Sequence, residues 1–580
     1  MMTDLLMINP GFILILAGII CALLPVSPVR KALVFFAPIV SGFLIFNAFA
    51  GFVGPDPQVL HSVRVGSQEL ITNQIDRVSM IWGYVFCFAG ILNAIYALHE
   101  KCRITDSSAL IYMGAAVAGV FVGDFLSLFV FWELAAVSSV FLIWKGGERS
   151  FPAGVRYLAI HVLSGVLLLA GAVIYGHSNG GDFTIGHVGL ESPGGLLLLI
   201  SMGIKCGFPF LHNWMQDSYP KASITGTVIL SAFTTKLAIY ALYRCFVGEE
   251  ALIYIGAAMT LFPVFFAVIE NDLRRVLAYS LNNQLGYMVC GIGIGTQLAL
   301  NGVVGQVVVH IIFKALLFMS IGAVLYRVGT AKASELGGLF RSMPYTTIFC
   351  LIGAGSIAAF PLLAAFVTKS MIISAVLYEH NYFIFAILLF ASAGVMEHSG
   401  IKVPYFTFFS HDSGKRVEEA PWNMLVAMGL ASLACIFFAF PLGGYQFLYA
   451  LLPYDVDYKP YTGNHIVTQL QLLFAAMFAF AMLKRFKIYP DERRAEILDF
   501  DWTYRRLGKG IVKWIGAMWN RLDANIAVLR DHLWDRTSKR LYQLFSPAGD
   551  MSASAPSGLA VLLTGGMLVL MLGMIYLTGL

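Results

Sequence analysis

Apolar stretches of about twenty residues recur along the whole of this chain. A helix of that length crosses the roughly 30 Å hydrocarbon core of a bilayer. The 580 residues are 58% hydrophobic and only 12% charged, whereas soluble domains carry roughly 25% charged residues. Only helices and closed barrels satisfy every backbone polar group in lipid. The sequence therefore predicts an all-α polytopic membrane protein.

The apolar runs predict about 16 transmembrane helices. No basic region precedes the first run, so we expect residues 10–26 to be a retained span and not a cleaved signal peptide. The predicted spans are residues 10–26, 31–51, 77–98, 107–123, 125–144, 154–175, 194–211, 223–245, 251–268, 276–295, 300–326, 346–377, 381–401, 421–441, 465–484 and 557–579.

Basic residues are concentrated in every second connection between these spans. If the N-terminus lies outside, segments such as VRK (29–31) and NDLRR (271–275) face the cytoplasm, whereas the opposite connections carry chiefly Arg64, Arg77 and Lys459. Because cytoplasmic loops carry an excess of Lys and Arg, this bias predicts a protein of the cell (inner) membrane with its N-terminus outside.

Two apolar runs contain a proline beside a lysine, in ISMGIKCGFPFLHNWM (200–215) and GSIAAFPLLAAFVTKSM (355–371). Proline interrupts a helix, so we predict helix breaks at Pro209 and Pro361. Matched interrupted spans favour internal structural repeats around an ion path. We therefore divide the chain into N-terminal transmembrane helices (1–106), two inverted five-helix repeats (107–247 and 248–402), accessory helices (403–484), a cytoplasmic amphipathic segment (485–556) and a transmembrane anchor (557–580).

Several ionisable side chains lie inside the predicted spans. A charge at mid-membrane costs at least about 2.5–3.5 kcal/mol, so such residues usually face one another or a wet cavity. A lysine in a low-dielectric site can exchange its proton near neutral pH, and histidine does so unaided. The pattern favours proton movement along a buried axis. The candidate residues are Glu133, Lys205, Lys236, His310, Lys314, Lys369 and, as a weaker candidate, His161.

Structural roles for these residues remain open at this point. Glu133 and Lys205 could form a static ion pair, and Lys369 could cap carbonyls freed by the helix break. For the others, Lys236 and Lys314 could extend to the membrane surface, His310 could form an interhelical hydrogen bond, and His161 could be structural.

The sequence indicates no cofactor and no metal site. Its eight cysteines are scattered without a CxxC pair, which argues against disulfides, iron–sulfur clusters and zinc. GAGSIA (353–358) resembles a dinucleotide-binding motif, but it lies in an apolar span with no preceding strand. Glu397 and His398 fall near a predicted span end and are interpreted as interface residues. Asp124 is expected to mark a turn, and Asp76 to cap the third span.

Residues 485–556 contain an amphipathic helix in which apolar side chains recur at three- or four-residue steps between Lys and Arg. Trp514, Trp519 and Trp534 are available for a membrane interface. Two interpretations are open: a cytoplasmic surface helix on this chain itself, or a strap along neighbouring subunits.

Five motifs together resemble the antiporter-like subunits of Mrp-type cation/proton antiporters (the D-type and A-type members) and of the membrane arm of respiratory complex I. The resemblance covers roughly residues 75–400, and the GD at 123–124 and KVPYF favour the Mrp D-type branch. The motifs are GDFLSLFVFWEL (123–134), IKCGFPFLHNWMQDSYPKA (204–222), LRRVLAYSLNNQLGYM (273–288), VVHIIFKALLFMSIGAVLY (308–326) and FPLLAAFVTKSM (360–371).

The resemblance implies a role for each matching residue. Glu133 and Lys205 resemble the family's fifth-span glutamate and seventh-span lysine, and Lys236 its bridging eighth-span lysine. Lys369 resembles the terminal lysine of the twelfth span. His310 and Lys314 match the family's HxxxK pair in the eleventh span.

We therefore hypothesise a proton-translocating subunit of a multisubunit Na⁺ or K⁺/proton antiporter. Its expected partners are other membrane subunits, the transported ions and lipid, with no nucleic acid. The alternatives are a subunit of a redox-driven pump, a subunit of a proton-coupled CO₂-hydrating complex, and a non-conducting scaffold.

Overall fold

The computed structural model describes residues 8–50, 56–66, 68–490, 492, 497, 499–546, 549 and 557–578. They form two compact units, Met1–Asp499 and Phe500–Leu580. The described residues do not include 1–7, at the start of the first predicted segment, or 579–580, at the end of the predicted anchor. They also omit most of the lead into that anchor (547–556).

The first unit opens with helices on either side of a two-stranded sheet. Asn9 caps the first helix by accepting a hydrogen bond from the Gly11 backbone. These elements are α1 (Pro10–Leu23), α2 (Ser27–Ala50), β1 (Gln58–Val65), β2 (Gln68–Ile75), α3 (Arg77–Tyr96) and α4 (Arg103–Phe121).

The antiparallel β1–β2 hairpin is a small addition to the helical fold that the sequence did not predict. From Gln58 to Val63, partly covered residues alternate with exposed ones, as in a strand with one covered face, and the ladder includes Val63 opposite Leu70. The hairpin is joined to the helices through Ile71, whose carbonyl accepts from the Gly123 amide over 2.9 Å. A search for twenty-residue apolar runs does not detect such short elements.

The middle of the chain contains the helices that carry most candidate residues. Two predicted spans are each divided into two shorter helices here, α7 with α8 and α9 with α10. The elements are α5 (Phe125–Trp144), α6 (Phe151–Ser178), α7 (Gly195–Cys206), α8 (Asn213–Ser218), α9 (Ile224–Ala232), α10 (Thr234–Cys245), α11 (Glu250–Ile269), α12 (Leu273–Ile294) and α13 (Gln297–Val328).

The last part of the first unit contains a third divided span and a helix that changes type. Helix α16 (Tyr382–Val395) continues as π-helical turns at Met396–Lys402 and Tyr405–Phe409. The other elements are α14 (Pro344–Ile357), α15 (Ala365–Tyr378), α17 (Trp422–Phe437), α18 (Gly444–Leu451) and α19 (Gly463–Arg485).

Acidic residues begin two of the spans. Asp76 caps α3: its Oδ1 accepts from the Ser79 amide over 2.7 Å, and the Ser79 hydroxyl accepts from the Asp76 amide. Asp124 caps α5 through the Ser127 amide and also accepts from the Ile71 amide, both over 2.7 Å. The cap predicted at Asp76 is confirmed. Asp124, expected to mark a turn, caps α5 with extended backbone and holds the hairpin against the start of that helix.

Eleven helices in the described ranges are long and apolar enough to cross a membrane, and five apolar helices are shorter. The long helix α13 is buried from Ala299 to Val324 and lies at the centre of the first unit. The prediction of an α-helical, multi-pass membrane protein is therefore confirmed. The count of sixteen spans and the inverted relation of the two repeats stay predictions.

The second unit consists of π-helical turns at Thr503–Gly508, a long helix α20 (Lys509–Phe545) and α21 (Ser557–Thr578). With 37 residues, α20 is about 55 Å long. None of its described residues is buried, and Trp514, Trp519 and Trp534 are all exposed. This agrees with the amphipathic helix expected from the sequence.

Candidate functional site

Glu133 lies midway along α5, where it faces α6. Its Oε1 atom is buried and has no hydrogen-bond partner among the described residues. On α6, a side chain at Gly165 would overlap this oxygen. The glycine therefore makes the space that the carboxylate occupies.

Lys205 reaches this region from the last turn of α7. Its Nζ donates to the Trp132 carbonyl over 2.5 Å and lies 4.3 Å from the centre of the Trp132 ring. The charges of Lys205 and Glu133 are near enough to interact directly. The two side chains nevertheless form no ion pair within 4 Å in the described chain, so the geometry does not match a locked salt bridge.

His161, on α6, is fully buried beside this pair. Its ring stacks on Tyr157 with 4.0 Å between centres and meets the edge-on ring of Trp214 at 4.5 Å. Neither ring nitrogen has a hydrogen-bond partner within the described ranges. The charge of Lys205 acts on this imidazole. His161 therefore belongs to the same buried cluster, held by aromatic packing.

Lys236 occupies a helix break that the sequence analysis missed. The span predicted at 223–245 is interrupted at Phe233, between α9 and α10. The Lys236 Nζ turns back and donates to the Ser231 carbonyl over 2.6 Å. This carbonyl belongs to the last turn of α9, where helix ends leave carbonyls unsatisfied. No proline or glycine marks the break, so the sequence offered little signal for it.

His310 and Lys314 lie one turn apart on α13, and both are 0% exposed. The His310 ring nitrogens and the Lys314 Nζ have no hydrogen-bond partner among the residues described. Lys236 is near enough to interact directly with both, and also with Cys206, the neighbour of Lys205. Neither Lys236 nor Lys314 reaches the surface, so the alternative of extension to the interface does not apply.

Lys369 lies on α15, one turn beyond a helix break. Its Nζ donates to the Ser392 hydroxyl on α16 over 2.8 Å and lies 4.5 Å from the centre of the Tyr287 ring. It therefore does not cap freed carbonyls. Lys369 also lines a cavity of about 530 Å³, together with polar residues of the connection before α19 such as Asp457 and Lys459.

A chain of buried amides and a hydroxyl leads toward Lys369 from the centre of the unit. Asn283 donates to the Thr260 carbonyl over 2.5 Å, and Gln284 donates to Asn283 over 2.9 Å. Gln306 donates to Gln284 over 3.0 Å and accepts from Thr368 over 2.6 Å. The chain links α11, α12, α13 and α15, and it ends one residue before Lys369.

The helix breaks at Pro209 and Pro361 share one backbone pattern. In GFPF (207–210) the first and last residues have φ of +83° and +70°. In AFPL (359–362) the corresponding values are +59° and +72°. Three of these four positions carry a side chain in the left-handed region, which glycine alone occupies freely. Two breaks of the same form therefore lie beside the two candidate lysines Lys205 and Lys369.

The interpretation of Glu397 and His398 as residues at the membrane interface stays a prediction. The π-helical turns after α16 carry the helix past its predicted end, so that His398 and Lys402 are both buried at 0% exposure. The sequence contains one signal for them. HSGIK (398–402) repeats the HxxxK spacing of HIIFK (310–314).

Comparison with known proteins agrees with this geometry. Residues 122–394 match the family described as "NADH:quinone oxidoreductase/Mrp antiporter, TM". This part of the chain belongs to that family. The matched segment contains all seven candidate residues and both proline breaks.

Two relatives represent the two branches of the NADH:quinone oxidoreductase/Mrp antiporter family. The D-type component of the Na(+)/H(+) antiporter of Alkalihalophilus pseudofirmus is 35% identical over 331 residues, which cover 53% of this chain and 66% of that protein. The N-type component of the NADH-quinone oxidoreductase of Desulforudis audaxviator is 31% identical over 291 residues, covering 47% and 58%. The match thus spans less than two thirds of each relative.

Solved structures show the same fold as this member of the family. A chain of the Mrp complex from a Dietzia species has a TM-score of 0.71 at 20% identity, covering 82% of this chain and 100% of its own. A chain of respiratory complex I from Thermus thermophilus has a TM-score of 0.66 at 18% identity, covering 80% and 99%. At these identities the likeness establishes the fold alone.

Proposed function

We propose that this chain is the proton-translocating subunit of a multisubunit cation/proton antiporter. One observation carries the proposal: a row of six titratable side chains, five of them fully buried, lies on helices of the first unit, and charge interactions link Glu133 with Lys205 and Lys236 with His310 and Lys314. In order the row is Glu133, Lys205, Lys236, His310 with Lys314, and Lys369. A charge buried in a bilayer is costly, and a row of them is explained by proton movement.

The geometry of the row suits stepwise transfer. Lys205 is held near Glu133 by a carbonyl and an aromatic ring, so the distance between the two charges can change without breaking an ion pair. Lys236 lies at a helix break, where backbone groups are free to exchange partners. Near Lys369 a polar-lined cavity supplies an opening to one side. His161 is proposed to tune Lys205 from its aromatic site.

The proposed orientation keeps the N-terminus outside and the basic connections in the cytoplasm. The packing agrees with the grouping of connections into two sides, because connections assigned to one side meet one another. Arg30 donates to the Lys101 carbonyl over 2.8 Å, and the Leu273 amide donates to the Ala331 carbonyl over 2.9 Å. The cavity beside Lys369 then opens toward the outside.

Na⁺ or K⁺ is the proposed counter-ion, and further membrane proteins are the proposed partners. The relative from a Na(+)/H(+) antiporter supports this choice. The second candidate function is a subunit of a redox-driven pump, which the relative from an NADH-quinone oxidoreductase favours. Copurification distinguishes them: small membrane proteins without electron carriers support the antiporter, and flavin or iron–sulfur proteins support the pump.

The test replaces Glu133 by Gln and Lys205 by Ala in the assembled complex. Each change removes a titratable group from the row, so we expect cation-dependent proton flux to be lost while the complex still assembles. Flux is measured in inverted membrane vesicles with a pH-sensitive dye. Glu148→Gln, at an exposed connection, is the matched control. Full flux in both row variants would refute the transport role.

A further inference from the structure

The π-helical extension of α16 contains a second cluster of buried titratable groups. In a π-helix, residues five positions apart become neighbours, and such turns often occur at functional sites. Glu397 and Lys402 have this spacing on Met396–Lys402, and their charges interact directly. His398, between them in sequence, is also fully buried.

Lys402 is held at the end of α11. Its Nζ donates to the carbonyls of Ala267 over 3.3 Å, Val268 over 2.6 Å and Glu270 over 2.7 Å. These are carbonyls that the end of a helix leaves unsatisfied. The Nζ also lies 3.0 Å from Glu492 Oε1, in the segment that follows α19. Lys402 therefore lies at the edge of the unit where the connection 271–275 begins.

Carboxylates surround this lysine on the side of the connection. Glu397 Oε1 accepts from the Tyr489 hydroxyl over 2.6 Å, and Tyr489 belongs to the same segment as Glu492. Glu270 lies 3.4 Å from Arg275. Burial raises the pKa of Glu270, although the charge of Arg275 acts in the opposite direction. The cluster thus combines carboxyl groups with one amine at the cytoplasmic end of α11.

His398 connects the cluster with the main row. Its Nδ1 is hydrogen-bonded to the Ser399 hydroxyl over 2.8 Å, and its Nε2 has no hydrogen-bond partner in the described ranges. The charges that act on the imidazole come from Lys314 on α13, Lys369 on α15 and Lys402 on its own element. The ring therefore lies within electrostatic range of two lysines of the row and of the lysine of the cluster.

We propose that Glu397, His398 and Lys402 form a proton-exchange branch that joins the row between Lys314 and Lys369. The inference rests on the proposed function. A proton taken up by Glu397 or Lys402 passes to the neutral His398 imidazole, and from the imidazolium to the neutral amine of Lys314 or Lys369. Each step moves one proton and no electrons.

The branch supplies a second proton route near the end of the main row, on the side away from the cavity. The cavity beside Lys369 opens to one side, and the Glu397–Lys402 cluster lies at the end of α11 on the other. Tyr489 and Glu492 cover the outer end of the cluster through their contacts with Glu397 and Lys402. The pair His398 and Lys402 thereby parallels His310 and Lys314, with the same spacing and the same burial.

The test uses His398→Gln in the full chain within its native complex. Glutamine keeps a polar side chain able to bond Ser399 but cannot carry a proton. We expect flux to fall about 100-fold or more, the typical loss when a proton-transfer group is removed. Lys402→Met is the second variant, Glu133→Gln reports on the main row, and His411→Gln, at an exposed histidine, is the matched control.

The outcomes separate this inference from the proposed function. Loss of flux in both branch variants at normal chain levels supports the branch. If His398→Gln does not accumulate, the flux of Lys402→Met decides. Wild-type flux in the branch variants, with none in Glu133→Gln, refutes the branch and leaves the proposed function intact. Wild-type flux in every variant, Glu133→Gln included, refutes both.

Discussion

Gly165 determines where the Glu133 carboxylate lies. Because a side chain at position 165 would overlap Oε1, the glycine is required by its neighbour and not by its own backbone. The atoms in conflict belong to the end of a flexible side chain, so the fold can tolerate a methyl group by moving the carboxylate. A change at this glycine therefore displaces the first member of the row and leaves every titratable group in place.

We predict that Gly165→Ala lowers proton flux with little effect on assembly. A displacement of about 1 Å can cost about 100-fold in rate when groups must be positioned for reaction. Flux in vesicles and the chain level in membranes measure the two effects. Gly186→Ala is the matched control, since an added methyl group there meets nothing within 4 Å. Equal flux in the two variants would contradict the proposed position of Glu133.

Lys369→Arg tests whether this residue must release its proton. Arginine keeps the positive charge, but its guanidinium does not deprotonate in proteins. We expect transport to stop in a relay and to survive largely unchanged if Lys369 only supplies a fixed charge. Flux is compared with that of Lys332→Arg, at an exposed lysine. Wild-type turnover in Lys369→Arg would favour the fixed charge.

At the scale of elements, the two proline breaks share one backbone form but differ in sequence. One break can therefore be altered by a substitution that leaves the other unchanged. Ala359 has a φ of +59°, a conformation that costs a non-glycine residue about 1–2 kcal/mol. Its counterpart in the other break is Gly207, with a φ of +83°. The two breaks therefore use the same backbone form with different residues.

We predict that Ala359→Gly raises stability by about 1 kcal/mol, since relief of the left-handed strain exceeds the added chain entropy of glycine. Thermal unfolding of the purified protein in detergent measures the change. Ala358→Gly is the control. Because Ala358 has ordinary helical angles, a glycine at this position should lower the stability of the protein. A lower melting temperature for Ala359→Gly would contradict the backbone argument.

Sequence patterns predicted the elements that are determined by residues close together in the chain. Twenty apolar residues in a row indicate a span, and an acid before a span indicates a cap, as at Asp76. The break at Phe233 depends on packing between helices and leaves no local signal. The hairpin at 58–75 was missed because both of its strands contain several polar residues, so no window is apolar enough for a span.

The same distinction applies to the candidate site. Glu133 and Lys205 stand out because they are charged residues within apolar runs. His398 and Lys402 stand out less, because they lie at the predicted end of their span, residues 381–401. The partners of these residues, such as Gly165 and Glu492, come from other elements. Contacts between distant segments cannot be read from spacing along the chain.

At the scale of the whole molecule, the two units differ in whether their helices bury side chains. Helix α20 has no buried residue among those described and is amphipathic. Its exposed apolar side chains are therefore available to a surface beyond the helix itself. The titratable row, in contrast, lies entirely within Met1–Asp499.

We predict that deletion of residues 503–580 weakens assembly more than it weakens conduction. The deletion leaves Tyr489, Glu492 and the whole row in place, but removes both helices of the second unit. Copurification of partner proteins measures assembly, and flux per assembled complex measures conduction. Glu133→Gln should show the opposite pattern, with assembly kept and conduction lost. Copurification of every partner with the truncated chain would contradict the prediction.

The cavity beside Lys369 has a consequence for the response to membrane voltage. A polar space of about 530 Å³ that admits water carries little of the electric field. The membrane potential therefore falls across the protein between the inner end of this cavity and the opposite membrane surface. Moving one charge through the full potential is worth about 2.3 kcal/mol per 100 mV. Steps from helix to helix at one depth cross almost none of this drop. Voltage should therefore act on the short entry and exit segments and leave the long sideways passage electrically silent.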